Sequence, residues 1–448
     1  MYPGCKKDKM KEQQTRGEKM ATVIPFRGVR YNPQIIKDLA AVVTPPYDVI
    51  DSAAQKKYYE KSPYNIIRLE LGYSFPTDTE TNNRYTRAAK DFRQWLQNGV
   101  LLREKVESIY LLEQEFTVGS TVYRRTGFFS RVRLEEYQNG KILPHEETLV
   151  KPKADRLSLM TACIANFSSV FAFYVDPDRK LDREFTQVKE TIAPDQVLTD
   201  ENGEKHRLWV LTDTALHRKI TDKLASESLY IADGHHRYET ALEFKRITKG
   251  KYPGSDYILM YLVNACDPGM VILPTHRVVH DLPDFDLSQL KRQLTADFAV
   301  EQIPRSSLMD VLKERRQEGR ISFVMATPEP AAYLLTVRDT DSVQALHPDK
   351  SRTWCSLDAA VLQTLIFQKL LEMSSDQISR QEFISYTRDE AKALRAVDEN
   401  KAQLAFLLNP TRIEQIVEVA LAGEKMPQKS TYFYPKLPTG LVINDLSV

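Results

Sequence analysis

Apolar residues recur at helical spacing through Asn83 to Asn98, where Tyr85, Ala88, Ala89, Phe92 and Trp95 share one face, and this predicts an amphipathic helix. Asp51 to Lys61 and, more briefly, Ile35 to Val43 also read as helix. Between them Thr44 to Ile50 cannot be a helix interior, because Pro45 and Pro46 remove donors and fix φ. Ile66 to Leu71 reads as a strand, and Ser108–Phe116 with Thr121–Leu134 as a hairpin about a Val-Gly-Ser turn. Lys141 to Asp155 is polar and loop-like. Asn166–Val175, His206–Leu211, Asp256–Cys266 and Val271–Leu273 are strand-like runs.

Beyond residue 285 the pattern changes. Helical periodicity at Leu287–Ala296, Ser306–Gln317, Ser356–Met373 and Arg412–Leu421 mixes with strands at Ile321–Ala326 and Ala331–Val337, and Gly423 lies where a C-terminal cap glycine belongs. Hairpins exclude a purely parallel sheet and helices exclude a plain sandwich, so the expected class is α+β with a mixed or antiparallel sheet.

A chain of 448 residues with 42% hydrophobic positions has room for two or three domains. Lys+Arg 62 against Asp+Glu 61 gives a net charge of +1, which offers no electrostatic case for a nucleic-acid partner or an acidic membrane surface. No apolar run approaches the roughly 20 residues of a membrane helix. Four dispersed cysteines, with no Cys-x-x-Cys, suggest a reduced, cytoplasmic protein without a zinc ribbon or a disulfide framework. Residues 1–20 carry six Lys/Arg and no apolar core, and read as a disordered extension or an upstream start.

Chemistry concentrates in Tyr230–Leu242. An apolar run ends at Asp233, Gly234 makes a corner, and His235, His236 and Arg237 open a helix whose apolar face is Tyr238, Ala241 and Leu242. Asp233 is the expected N-cap, and a helix start bearing two imidazoles and a guanidinium is a candidate phosphate site. Pro144–Leu157 gathers His145, Glu146, Glu147, Lys151, Lys153, Asp155 and Arg156, and Leu273–His280 contributes His276 and Arg277. Each has a plainer reading: His235 with Glu239 as a surface pair, the charged run as a solvated loop, His276 as a core-edge imidazole, Asp48 as a turn cap. Zinc chemistry through His145, Glu146, His235 and His236 lacks a His-Glu-x-x-His motif, and adjacent helical histidines diverge by about 100°. Phosphoryl transfer fits better, with Lys151, Lys153 and Arg156 neutralising charge, although Walker A and protein-kinase motifs are absent. Cys163 reads as a buried small hydrophobe.

In order along the chain stand IPFRGVRYN, PPYDVI, SPYNIIRLELG, PHEETLVKPKADRL, YIADGHHRYETAL, ILPTHRVVH, LDAAVLQTLIF and AGEKMPQKSTYFYPKLPTGLV. This series resembles the DUF1015 family of bacterial and archaeal proteins, departing from it at Gln363, where a histidine is expected. The Asp-Gly-His-His-Arg block also resembles that of the archaeal free-serine kinases, which have the ParB/sulfiredoxin fold. The resemblance implies a ParB/sulfiredoxin-like domain at 106–284, preceded by an α/β segment at 21–105 and followed by an α+β region at 285–448. It further implies an ATP- or ADP-dependent, Mg²⁺-requiring kinase acting on a small-molecule hydroxyl such as that of free L-serine. Asp233, Gly234, His235, His236 and Arg237 become the phosphate-binding and catalytic segment, with Asp233 also a candidate Mg²⁺ ligand. Glu146 becomes the general base, and Asp48, His145, His276 and Arg277 substrate-side candidates. Two alternatives stay open: a nucleotide-binding regulator without an acceptor, and a zinc-dependent hydrolase. The C-terminal Met426–Gly440 is expected to pack on the core as an extended tail through Tyr432, Phe433 and Tyr434.

Overall fold

A computed structural model describes residues 21–148 and 150–448, with backbone alone at 150–152. The expectation for residues 1–20 therefore lies outside the described residues. The chain forms two units: one holds the described residues up to Pro144, then Thr148–Val271 and Pro435–Val448; the other holds His145–Glu147 and Ile272–Tyr434.

The first unit is built on a mixed nine-stranded sheet. Its strands run in the order Ile142–Leu143, Leu229–Asp233, Val170–Tyr174, Tyr257–Asn264, Thr121–Arg133, Ile109–Val118, Lys205–Leu211 and Gln196–Thr199, with Val23–Ile24 also on Thr121–Arg133. Tyr257–Asn264 runs parallel to Val170–Tyr174, while the Ile109–Val118/Thr121–Arg133 hairpin is antiparallel, as its short turn requires. One face packs Ile231, Ala172, Met260, Phe128 and Leu111 under Tyr238, Ala241 and Phe244 of the His235–Thr248 helix. The Arg84–Gln97 helix buries Ala88, Ala89, Phe92 and Trp95, and Asn83 closes a capping box at its start.

The second unit carries a six-stranded sheet, antiparallel throughout, in the order Phe298–Ile303, Ala332–Val337, Ser322–Ala326, Leu404–Leu407, His276–Val279 and Ile384–Thr387. Val278, Val324, Leu334, Leu407 and Val397 form its core. The predicted Ser356–Met373 helix is a short α-helix, Asp358–Val361, that widens into a π-helix over Leu362–Leu370. The whole is α+β, as the pattern of the sequence implies.

Three local expectations are corrected. Ile66–Leu71 is not a strand but contains the helix Ile67–Glu70, begun by the Asn65 side chain accepting from the Ile67 N–H. Ile66, Ile67 and Leu69 are all fully buried, so neither strand nor helix periodicity shows in so short an apolar run. The Lys141–Asp155 stretch is not all loop, because Val150–Cys163 is a helix. Pro152 falls in its first turn, where backbone N–H groups have no intrahelical acceptor and proline costs little. Of the Ile35–Val43 helix only the single turn Leu39–Ala41 forms, capped by Asp38.

Candidate functional site

The site begins with an irregularity in a strand. Leu229–Asp233 pairs with Val170–Tyr174, Ile231 opposite Ala172, and then slips so that Asp233 lies opposite Phe171. Two residues face one, a β-bulge that resets the alternation of side chains. Ile231 and Ala172 point into the core, so a regular strand would have sent Asp233 there as well. The bulge puts it on the Phe171 face instead.

On that face the C-terminal segment delivers a cation. The buried Arg125 guanidinium stacks on the Phe171 ring at 4.7 Å and donates to Gln114 Oε1 and to the Pro435 carbonyl, each at 2.6 Å. Held there, the next residue, Lys436, sets its Nζ 3.1 Å from Asp233 Oδ1. Arg237 Nη2 donates to the other oxygen, Oδ2, at 2.9 Å, while its Nη1 donates to the Ser169 carbonyl. Burial alone would raise the Asp233 carboxyl, but Lys436 and then Arg237 outweigh it and hold the group well below the usual carboxylate range. His235, buried at 3% exposure, adds to the same field.

Gly234 has φ +92°, a conformation costly for any L-residue, and a Cβ there would meet Arg237 Nε at 2.9 Å. Gly234, not Asp233, is the N-cap of the His235–Thr248 helix, and a glycine has no side chain with which to cap the first turn. The expected Asp233 cap is thus corrected: its carboxylate is committed to Lys436 and Arg237. The backbone N–H groups of that turn and the helix dipole make a positive concavity.

Around it lies a second ring of charges. Arg156, on the Val150–Cys163 helix, donates to Glu70 Oε1 at 3.1 Å and to Asp155 Oδ2 at 2.5 Å, and stacks on the Tyr47 ring at 4.0 Å. Ser168 donates to the same Glu70 oxygen at 2.8 Å. Burial raises the Glu70 carboxyl, with Arg156 opposing, and pushes the Tyr47 hydroxyl up to about 12. Glu70, Arg156, Ser168 and Arg237 line a shared cavity of about 40 Å³, room for little more than a water molecule. Lys153 pairs with Glu239 at 2.9 Å, and Thr148 donates to Glu239 at 2.5 Å. His236, half-buried on the first turn, has its imidazole pKa lowered chiefly by burial. Asp48 is exposed and forms no hydrogen bond or ion pair among the described residues, yet its charge acts on Arg237, His236 and Tyr47.

Of the residues singled out in the sequence, Asp48, Lys153, Arg156 and Asp233 to Arg237 all belong to the first unit and to this network; the Lys151 side chain lies outside the described residues. His145, Glu146, His276 and Arg277 belong to the second unit. There His145 Nε2 lies 2.9 Å from Thr431 Oγ1, and the Leu408 N–H donates to His276 Nδ1. Arg277 donates to the carbonyls of Thr275 and Lys429. Tyr47, Glu70, Ser168 and Lys436 were not anticipated. Lys436 sits in the tail expected only to pack, and Glu70 in an apolar run whose signal is purely hydrophobic. Among the described residues, the potential metal ligands that cluster are Asp200, Glu204 and His206, none of them a zinc candidate named from the sequence. No described helix is long and apolar enough to cross a membrane.

Fold and site together define an α+β protein with a carboxylate–cation cluster at a glycine-led helix start. The chain belongs to the DUF1015 family: residues 23–360 match the family described as "Protein of unknown function (DUF1015)". No curated protein matches it. Among solved structures it is similar to a conserved hypothetical protein from Pyrococcus furiosus, at 13% identity and a TM-score of 0.33, covering 70% of this chain and 95% of that one. It is also similar to free serine kinase in complex with AMP, at 13% identity and a TM-score of 0.35, covering 70% and 92%. A third is SbnI with a C-terminal truncation from Staphylococcus aureus, at 12% identity and a TM-score of 0.35, covering 71% and 87%. Scores this low transfer neither an activity nor a residue's role.

Proposed function

We propose that this protein is a small-molecule phosphotransferase that binds a nucleotide's phosphates at Gly234–Arg237. The observation that carries the reading is the glycine-led helix start at Gly234, flanked by His236, Arg237 and Lys436. These residues fit a phosphate: the backbone donors of a helix N-terminus, a glycine whose Cβ would crowd the arginine, and fixed positive charge. ATP or ADP with Mg²⁺ would supply the transferable phosphoryl group to a hydroxyl such as that of free L-serine. Arg237 and the helix N-terminus hold negative charge; His236, its pKa lowered, is a neutral imidazole at pH 7 and offers a hydrogen bond without adding charge. Asp233 fits a Mg²⁺ ligand poorly, since Lys436 and Arg237 already occupy both its oxygens. Its role is to orient those two cations. Asp48, uncommitted and acting on Arg237 and His236, is the carboxylate available to take the hydroxyl proton or hold the metal. The resemblance names Glu146 for the base, and mutation separates the two.

The test is to incubate the full chain with L-serine, Mg²⁺ and either ATP or ADP and to measure phosphoserine. Asp48→Asn is expected to abolish turnover while nucleotide binding persists. If Glu146→Gln does so instead, the base is Glu146. No phosphoserine with either nucleotide removes serine as the acceptor. Nucleotide binding without turnover across a panel of hydroxylated metabolites would replace the kinase with a nucleotide-binding regulator.

A further inference from the structure

Asp48 forms no hydrogen bond or ion pair among the described residues, so its own carboxylate does not fix where it stands. It sits in the middle of a single 3₁₀ turn, Tyr47–Val49. The hydrogen bonds of that turn are internal: the Val49 N–H donates to the Pro46 carbonyl at 3.2 Å and the Ile50 N–H to that of Tyr47 at 3.3 Å. On either side the chain is anchored. Thr44 exchanges backbone hydrogen bonds with Thr439, and Asp51 caps the Ser52–Lys61 helix. Between these anchors Pro46 is buried, while Asp48 and Val49 are exposed.

Tyr47 ties the turn to the interior. Its ring lies on the Arg156 guanidinium at 4.0 Å. Its hydroxyl has no hydrogen-bond partner among the described residues, so the ring is what this side chain contributes. Arg156 is itself immobilised. It is 6% exposed, and its nitrogens donate to Glu70 Oε1 at 3.1 Å, to the Glu70 carbonyl at 3.0 Å and to Asp155 Oδ2 at 2.5 Å. The edge of the guanidinium is taken up by hydrogen bonds and its face stacks on the ring, a combination that a planar fork allows and an ammonium does not.

We propose that Arg156 is a positioning residue for Asp48: it clamps the Tyr47 ring, and the clamped turn holds the neighbouring carboxylate in one place. In that place the charge of Asp48 acts on His236 and Arg237. Holding Asp48 through its neighbour leaves all its carboxylate lone pairs open to a proton or a ligand, which direct hydrogen bonds would not. The functional value of that place rests on Asp48 being the carboxylate that serves the phosphate site, but the clamp itself is measurable without turnover.

The reporter is the His236 imidazole, which Glu239 and Asp48 draw toward protonation and Lys153 and Arg237 oppose. Its titration is followed by NMR in the full chain, labelled at histidine Cε1 and free of nucleotide; the signal is the one that His236→Gln removes. Asp48→Asn is expected to lower the His236 pKa. Tyr47→Leu loses the stack but keeps the carboxylate, and is expected to reproduce most of that fall while adding nothing in the Asp48→Asn background. Tyr47→Phe keeps the ring and leaves the titration as in the wild type. Arg156→Lys keeps the charge without the planar face and behaves as Tyr47→Leu; if it does not fold, the two Tyr47 variants decide. The proposal is overturned if Tyr47→Leu leaves the titration unchanged, if its effect persists in the Asp48→Asn background, or if Asp48→Asn itself has no effect. Turnover separates this from the kinase reading. Where phosphoserine forms, Tyr47→Leu lowers kcat at least about tenfold with the nucleotide KM unchanged. Where none forms, serine fails as the acceptor and the titration still decides the clamp.

Discussion

At the residue scale, Asp233 is where the charges of the first unit converge. Two cations hold its partly buried carboxylate ionised, and hydrogen bonds to charged groups contribute roughly 1.5–3 kcal/mol each. Lys436→Met is therefore expected to cost about 2 kcal/mol at pH 7 by chemical denaturation. The sign with pH follows from the depressed carboxyl pKa. Its stabilisation is complete above the ordinary carboxylate value near 4 and is lost as pH falls toward the folded-state value. Lys436→Met should thus narrow the gap in stability between pH 7 and pH 3. The Asp-Gly-His-His-Arg cluster was legible because its residues are contiguous and their excess of histidine has no packing explanation. Lys436 was not, since it lies 203 positions from Asp233; nor was Glu70, 86 from Arg156. Pairing at such separations leaves no local pattern. The N-cap expectation for Asp233 failed for the related reason that distant cations compete for its carboxylate.

At the element scale, the motif helix starts where Gly234 permits φ +92°. Gly234→Ala forces an L-residue into that conformation, with a Cβ against the Arg237 guanidinium. It should destabilise the first unit by about 1–3 kcal/mol and weaken phosphate binding. Thermal unfolding with and without nucleotide measures both. In the second unit, burial and then Arg277 lower the His276 pKa to about 4. Between that value and the unfolded value of about 6.5 the unfolded chain binds the proton, so stability falls as pH drops through this window, by up to about 3 kcal/mol. His276→Asn, whose side-chain oxygen can still accept from the Leu408 N–H, should flatten that slope in pH-dependent denaturation. Long amphipathic elements such as Arg84–Gln97 were readable because one face is buried and the other wet. Ile67–Glu70 was not, being too short and too buried to show a period. The Val150–Cys163 helix was hidden by its charges, of which Lys153 pairs with Glu239 and Arg156 with Glu70 and Asp155.

At the scale of the whole molecule, the chain leaves the first unit at Val271 and returns at Pro435. The returning segment is structural as well as chemical. Ile443 exchanges backbone hydrogen bonds with Val29, Asn444 bonds Asn166, and Leu446 enters the core. Burying Leu441, Ile443 and Leu446 at roughly 1.5–3 kcal/mol each is comparable to the net stability of a domain. Truncation after Tyr434 should therefore unfold the first unit, seen as loss of its cooperative transition and rapid proteolysis. The hydrophobic pattern forecast an α+β class but not this return, because a tail rich in Lys, Tyr and Pro carries no sign of which unit it joins.

The central claim is that Gly234–Arg237 binds nucleotide phosphates. Isothermal titration of the full chain with ATP and ADP in Mg²⁺ tests it most directly, comparing wild type with His236→Ala and Arg237→Lys. The account predicts saturable binding to the wild type that falls at least about tenfold in each variant, since Lys cannot reproduce the guanidinium fork. Affinity unchanged in both variants, or no nucleotide binding to the wild type, would contradict it.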